Sequence, residues 1–238
     1  MQYPDFKVTA PAAPQLTKYS LVLLICLWFW FSPATHKIAY QIDVKAFSWL
    51  NSSLQFSHYW QLLWGYMNHQ HESWLNVMYL ALINMAIVYS VPKFQRRTTI
   101  LGLVYFWLFF QLVLFFSHML FNVFLDIQRT SPSINIEPTV LLSDVLNMPN
   151  IKTSSSNCFP AGHTLIAIYW ASFTLLYCRN WLRYLIVFSA IMLVLPRLFT
   201  GAHWLSDVIF TIFYAALWFN IANSFPFIKK ITNKAGIT

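Results

Sequence analysis

Six stretches of the chain are almost continuously apolar: Tyr19 to Ala34, Trp74 to Val91, Thr99 to Phe121, Thr164 to Cys178, Tyr184 to Phe199, and Trp204 to Ile221. About 20 mostly apolar residues in a helix cross a hydrocarbon core roughly 30 Å thick, so each stretch predicts a transmembrane helix. The fourth and fifth are short by that measure. Both border a polar stretch with candidate chemistry, and the pattern predicts that their helices run on into it. Residues 35–73 read as an outer loop with an aromatic, patchily amphipathic run (Phe47, Trp49, Leu50, Phe56, Tyr59, Trp60, Trp64) suited to a membrane interface. Residues 126–160 read as a second outer loop. Arg129-Thr130-Ser131-Pro132, Pro138, Pro149 and Ser154-Ser155-Ser156 predict irregular chain there, with at most one short helix near Val140 to Leu146. No repeat or second unit is visible, so residues 1–238 read as a single membrane domain. The expected fold is all-α and polytopic, with six transmembrane helices.

Composition supports a bilayer as the solvent. Hydrophobic residues make up 58% of the chain and charged residues 9%, against roughly 45–50% and 25% in soluble domains. A soluble or disordered reading is excluded. Fifteen Lys plus Arg against seven Asp plus Glu give a formal charge of +8. In a membrane protein that surplus reads as loop asymmetry, and no nucleic-acid partner is expected. With a cytoplasmic N-terminus, the inner side holds Lys7, Lys18, Lys93, Arg96, Arg97, Arg179, Arg183, Lys229, Lys230 and Lys234. The outer side holds only Lys37, Lys45, Arg129, Lys152 and Arg197. Both termini are therefore expected inside. Asp5, Lys7 and three prolines precede the first apolar run, with no small-residue cleavage site after it, so a removed signal peptide is not expected. Cys26, Cys158 and Cys178 are too scattered for a disulfide framework or zinc cluster and read as structural.

Ionisable groups at membrane depth are expensive and tend to be functional. In the second half of the chain they gather at the outer ends of helices three to six. Arg129 follows the third helix, Pro160-Ala161-Gly162-His163 opens the fourth, and Arg197, His203 and Asp207 straddle the junction of the fifth and sixth. His203 and Asp207, four apart, share one helical face. An Asp207 carboxylate accepting from Nδ1–H of His203 would fix the tautomer and leave Nε2 free as nucleophile or base. Two guanidinium groups without matching carboxylates call for an anion, and a phosphoryl group fits the fork geometry. Gly162 lets the backbone approach that anion, beside the amide groups that open the fourth helix.

At these residues the chain resembles the type 2 phosphatidic acid phosphatase superfamily. The family signature reads Lys, six residues, Arg-Pro; then Pro-Ser-Gly-His; then Ser-Arg, five residues, His, three residues, Asp. Here the second part is Pro160-Ala161-Gly162-His163, and the third is Pro196-Arg197, five residues, His203, three residues, Asp207. The first part is degraded: Arg129 matches, but Asn122 replaces the lysine and Thr130 the proline. Within the superfamily, Arg129-Thr130-Ser131-Pro132, Ser156-Asn157-Cys158-Phe159-Pro160 and Gly201-Ala202-His203-Trp204 resemble the bacterial branch that makes lipid A 1-diphosphate.

That resemblance implies a site at the outer, periplasmic face of a bacterial inner membrane and a lipid phosphate or diphosphate substrate. Phosphate would pass from undecaprenyl diphosphate to lipid A, or to water in a plain lipid phosphatase or undecaprenyl-diphosphate phosphatase. His203 would attack phosphorus, Asp207 would orient it, and His163 would protonate the leaving oxygen and later activate the acceptor. Arg129, Arg197 and Gly162 would hold the phosphate. No metal or other cofactor is implied. The serine, lysine and serine lost at Ala161, Asn122 and Pro196 leave room for loop residues such as Ser131, Ser155 or Ser156.

Other residues read more simply. His69, His71 and Glu72 lack a telling fourth metal ligand and read as solvated loop. His118 reads as core or interfacial, and Asn51-Ser52-Ser53 is too short a pattern to mark glycosylation. Two other classes of function fit parts of the chain. A metal hydrolase would use His163, His203 and Asp207. An anion transporter would need polar residues continuing inward, and the inner halves of these helices show almost none.

Overall fold

The computed structural model describes residues 13–69, 73–178 and 181–225. It is helical throughout, and the described residues contain no strand, only an isolated bridge between His69 and Ile151. Among the described residues ten α-helices follow in order: α1 (Ala13–Phe31), α2 (Pro33–Ser52), α3 (His58–Met67), α4 (Ser73–Ser90), α5 (Lys93–Ser117), α6 (Pro132–Asn135), α7 (Leu142–Val145), α8 (Gly162–Tyr177), α9 (Leu182–Phe199) and α10 (Leu205–Ser224). Lys7, His71, Glu72, Arg179, Lys229, Lys230, Lys234 and both termini lie outside the described residues.

All six apolar stretches are helical. Among the described residues, length and apolarity sufficient for a span are met by three helices, Lys93–Phe124, Leu182–Phe199 and Leu205–Ser224. A fourth is added if Thr17–Phe29 and Pro33–Gln55, bent by 94°, count as one. The bend falls at extended Ser32, where Pro33 opens α2; a proline fits a first helical turn but cannot continue a helix through it. α8, at 16 residues, starts two residues before the apolar stretch that predicted it, at Gly162. Beyond Ser117, α5 widens into a π-helical turn over His118–Phe124.

The segments expected as loops are partly ordered. Residues 35–69 of the first are mostly helix, in α2, a short 3₁₀ turn over Ser53–Gln55, and α3. Their polar residues obscured the helical period, but Asn51 explains the order. It is buried, donates to the carbonyls of Val140 and Phe199 at 3.1 Å each, and accepts from the Val140 amide at 2.8 Å. α2 is thereby tied to the end of α9 and to the 126–160 segment. That segment holds two short helices, α6 and α7, where one was expected.

Phe106 stacks on Phe173 at 4.9 Å in the main core, which joins α5, α8, α9 and α10. A second cluster around Leu54, Trp64, Leu142 and Ile151 has Trp64 stacked on Phe199 at 4.2 Å. The outer surfaces are apolar as well: Leu108, Leu112, Phe115 and Phe116 on α5 and Val187, Phe188 and Ile191 on α9 are all exposed. Water would penalise such a surface heavily, whereas lipid does not. The helix directions bring the end of α5, the start of α8, the end of α9 and the start of α10 together at one end of the bundle. Lys93, Arg96, Arg97 and Arg183 lie at the opposite end.

Candidate active site

The junction of α9 and α10 is built by a helix cap. Gly201, with φ of +75°, follows the last turn of α9 in the left-handed conformation. Its amide donates to the Leu198 carbonyl at 3.3 Å and that of Ala202 to Arg197 at 2.9 Å, the paired bonds of a Schellman motif. A side chain at Gly201 would place its Cβ 2.5 Å from Phe47 Cε2. The next amide, of His203, also donates to the Arg197 carbonyl, at 3.3 Å. One cap thus joins His203 to Arg197 through the backbone.

His203 is buried, and its Nδ1 lies 2.8 Å from the carbonyl oxygen of Cys158. A carbonyl only accepts, so Nδ1 carries the proton and Nε2 presents a lone pair. Burial holds the imidazole down at about 4; the Cys158 hydrogen bond opposes this, and Arg197 and Lys152 reinforce it. The ring is neutral at neutral pH. Sequence spacing assigned the accepting role to Asp207, but that carboxylate is directed elsewhere.

Asp207 is fully buried and sits in an ionic clamp. It receives Arg129 Nη1, the Trp204 amide at 3.0 Å and the Cys158 thiol at 3.1 Å. Arg129 Nη2 donates to Asp43 Oδ2 at 2.6 Å, and Nη1 also reaches Ser206 Oγ at 2.8 Å. Ser206 in turn donates its amide and hydroxyl to Asp43, at 2.8 and 2.6 Å. The guanidinium lies 5.0 Å over the Trp204 ring, whose Nε1 donates to Thr130 O at 2.8 Å. α2, α10 and the 126–160 segment are therefore locked together through one arginine. Burial and the Asp207 charge push the Cys158 thiol well above its usual range, so it stays protonated.

On the other side of His203, Arg197 Nη2 lies 2.8 Å from His163 Nε2. Guanidinium nitrogens only donate, so Nε2 of His163 accepts and bears no proton in this arrangement. Arg197 is 7% exposed, yet its Nη1 has no hydrogen-bond partner. A buried donor left unpaired is costly unless a ligand completes it. At Gly162, beside His163, a Cβ would meet nothing within 4 Å, so open space adjoins the start of α8. Lys152 lies at this side too: burial and then Arg197 lower its ammonium below the usual range. A separate cleft of about 390 Å³, lined in part by His36, Tyr40, Gln128, Arg129 and Trp204, opens beside the clamp.

Residues 121–230 match the PAP2 superfamily. The chain carries a PAP2 domain. It is also 24% identical to the lipid A 1-diphosphate synthase of Escherichia coli (strain K12) over 198 residues, 82% of this chain and 81% of that protein. In fold it resembles the crystal structure of a transmembrane PAP2-type phosphatidylglycerolphosphate phosphatase from Bacillus subtilis. That match has a TM-score of 0.55 and 15% identity, over 91% of this chain and 96% of the other.

Within the PAP2 domain, His163, Arg197 and His203 converge, while Arg129 and Asp207 pair one layer away. Asn122, in the lysine position, accepts from Asn157 at 3.1 Å and donates to His118 at 2.9 Å. Ala161 is fully buried and donates its amide to Thr211 Oγ1 at 3.0 Å. Ser131 and Ser155 bond the loop's own chain: the Ser155 amide donates to Ser131 Oγ, and Ser155 Oγ to Asn157 O. Sequence reasoning missed Asp43. The signal available was a carboxylate within a largely uncharged, aromatic stretch, but its partner Arg129 is 86 residues away.

Proposed function

We propose that this protein moves phosphate between membrane lipids through a phosphohistidine on His203, taking it from undecaprenyl diphosphate and passing it to lipid A. The observation that carries the reading is the pairing of a buried, neutral His203, its Nδ1 proton fixed by the Cys158 carbonyl, with the unpartnered Nη1 of Arg197 joined to it by the α9 cap.

In the proposed reaction, Arg197 takes two phosphoryl oxygens, leaving His163 and freeing its Nε2 to carry a proton. The Nε2 lone pair of His203 attacks phosphorus as the bond to the leaving phosphate oxygen breaks, and that oxygen takes the His163 proton. His163 then removes a proton from the acceptor, whose oxygen attacks phosphorus and releases His203. Open space at Gly162 admits the phosphoryl group near the amides that open α8. Arg129 and Asp207, bound to each other and to Asp43, act here by holding the loop that carries Cys158 against α10. That role differs from a direct grip on phosphate by Arg129 and from direct orientation of His203 by Asp207.

We place the site at the periplasmic face of a bacterial inner membrane, with six spans and both termini cytoplasmic. The cationic Lys93, Arg96, Arg97 and Arg183 at the far end of the bundle support that orientation. The second reading, water as acceptor, rests on the same residues.

The test is to give purified protein labelled undecaprenyl diphosphate with and without lipid A, in chelator. Label on lipid A supports the transferase reading, whereas free phosphate regardless of lipid A supports the phosphatase. Full turnover by His203→Ala would sink the phosphohistidine step in both.

A further inference from the structure

The lysine that the family signature carries seven positions before its arginine is absent here, and its replacement Asn122 is bonded to Asn157 and His118. A different lysine reaches the site from another direction. The backbone of Lys152 is latched into a buried polar clasp: its amide donates to the Asn68 carbonyl at 3.1 Å, and its carbonyl accepts from the Asn68 side chain. Asn68 also donates to Thr200 Oγ1 at 2.7 Å, and Thr200 Oγ1 lies 3.4 Å from the Lys152 carbonyl. Asn68 and Thr200 are both fully buried. Thr200 is the cap residue of α9, one turn beyond Arg197. The clasp therefore fixes Lys152 one helical turn from the arginine with the unpartnered Nη1.

The side chain is half-buried; the Arg197 charge acts on it, and its own charge acts on His163 and His203. None of the ion pairs among the described residues uses it; both belong to Arg129. Lys152 and Arg197 thus lie within reach of each other's charge, and neither forms an ion pair with a carboxylate among the described residues, an arrangement that costs energy until an anion enters.

Resting on the phosphotransfer reading above, we propose that Lys152 is a phosphate-binding residue of this site. It supplies from the 126–160 loop the ammonium that Asn122 no longer provides. Its donors reach the phosphoryl oxygens beside those of Arg197. Because the clasp is made by the Lys152 backbone, the side chain can be changed without undoing it.

Equilibrium binding of inorganic phosphate to the purified full-length protein tests this independently of turnover, with steady-state kinetics on undecaprenyl diphosphate alongside. Lys152→Gln is expected to weaken phosphate binding about 10- to 100-fold, the usual weight of a charge-assisted hydrogen bond. kcat/KM should fall in parallel, and Lys152→Arg should recover most of both with an unchanged melting profile. Wild-type phosphate affinity in Lys152→Gln overturns the assignment even if His203→Ala is inactive, which leaves the phosphohistidine reading standing. Full turnover in His203→Ala overturns that reading instead, and the phosphate affinities still decide the role of Lys152. If Lys152→Gln unfolds, Lys152→Arg decides: phosphate affinity within a few-fold of wild type supports the assignment, and affinity weakened about 10-fold or more in a folded protein overturns a charge-based role.

Discussion

The side chain of His203 donates to the backbone of Cys158 at 2.8 Å, while Asp207, four residues further along, receives the Cys158 thiol. Cys158 thus separates the imidazole from the carboxylate that the spacing had assigned to it. Asp207 acts on the nucleophile only through this residue and through the clamp with Arg129 and Asp43.

The first prediction follows from that separation. Removing one member of a buried ion pair costs about 3–5 kcal/mol, so Asp207→Asn and Asp43→Asn are both expected to lower thermal stability sharply. Asp43→Asn should also reduce turnover, although Asp43 belongs to none of the signature motifs. The double variant should lose more than the two single losses combined, because either carboxylate alone still neutralises the arginine that both hold. Thermal unfolding in detergent, read beside turnover, checks this. A stable Asp207→Asn protein that has lost only kcat would restore the direct His203 pair.

The second concerns pH. Burial holds the His203 imidazole down at about 4, below its ordinary 6.5. The ring therefore keeps its nucleophilic lone pair as pH falls through 6. The sign for stability follows: below 6.5 the unfolded chain takes up a proton that the folded ring refuses until about pH 4. This contribution to stability is present above 6.5 and is lost as pH falls toward 4. NMR titration of the labelled His203 ring should place its midpoint near 4, and a midpoint near 6.5 contradicts the buried, carbonyl-bonded geometry.

Two glycines make opposite predictions. At Gly201 the positive φ and the 2.5 Å approach to Phe47 oppose any side chain, so Gly201→Ala should cost about 1–3 kcal/mol and displace His203. At Gly162 the space is open, and an alanine in helix is favoured over glycine by roughly 1 kcal/mol. Gly162→Ala should therefore leave the melting temperature unchanged or raised while turnover falls, because the methyl group occupies the space assigned to the phosphoryl group. Undiminished turnover would show that phosphate binds elsewhere.

What the sequence revealed was local. The spacing from Arg197 through His203 to Asp207 spans one helix end and the start of the next, where the glycine cap and helical period fix positions over a few residues. The assignment of His203 to Asp207 went wrong because the helix starts at Leu205, so the two residues are not on one continuous helix. Asp43 and Lys152 were invisible for a different reason. Their places depend on contacts with Arg129 and Asn68, 86 and 84 residues away, and no local period encodes those. Residues 35–73 read as loop because polar positions interrupt the apolar pattern, yet Asn51 and Asp43 are polar residues facing inward to partners.

The last prediction separates metal-free from metal-dependent chemistry. Cys158 Sγ, His203 and Asp207 offer ligand atoms within 4.8 Å of one another, as a metal centre would. Their protonation argues for another role. Metals bind thiolates, whereas the Cys158 thiol is held protonated by burial and by Asp207, and the His203 Nδ1 proton is shared with a carbonyl. Cys158→Ala keeps that carbonyl and removes only the sulfur. It should lose about 1 kcal/mol for the missing thiol hydrogen bond and retain turnover within a few-fold. Chelator should leave both wild type and variant unaffected. A metal site would respond differently: turnover would collapse on loss of the sulfur or on chelation, and elemental analysis of the active protein would find the ion in one-to-one ratio.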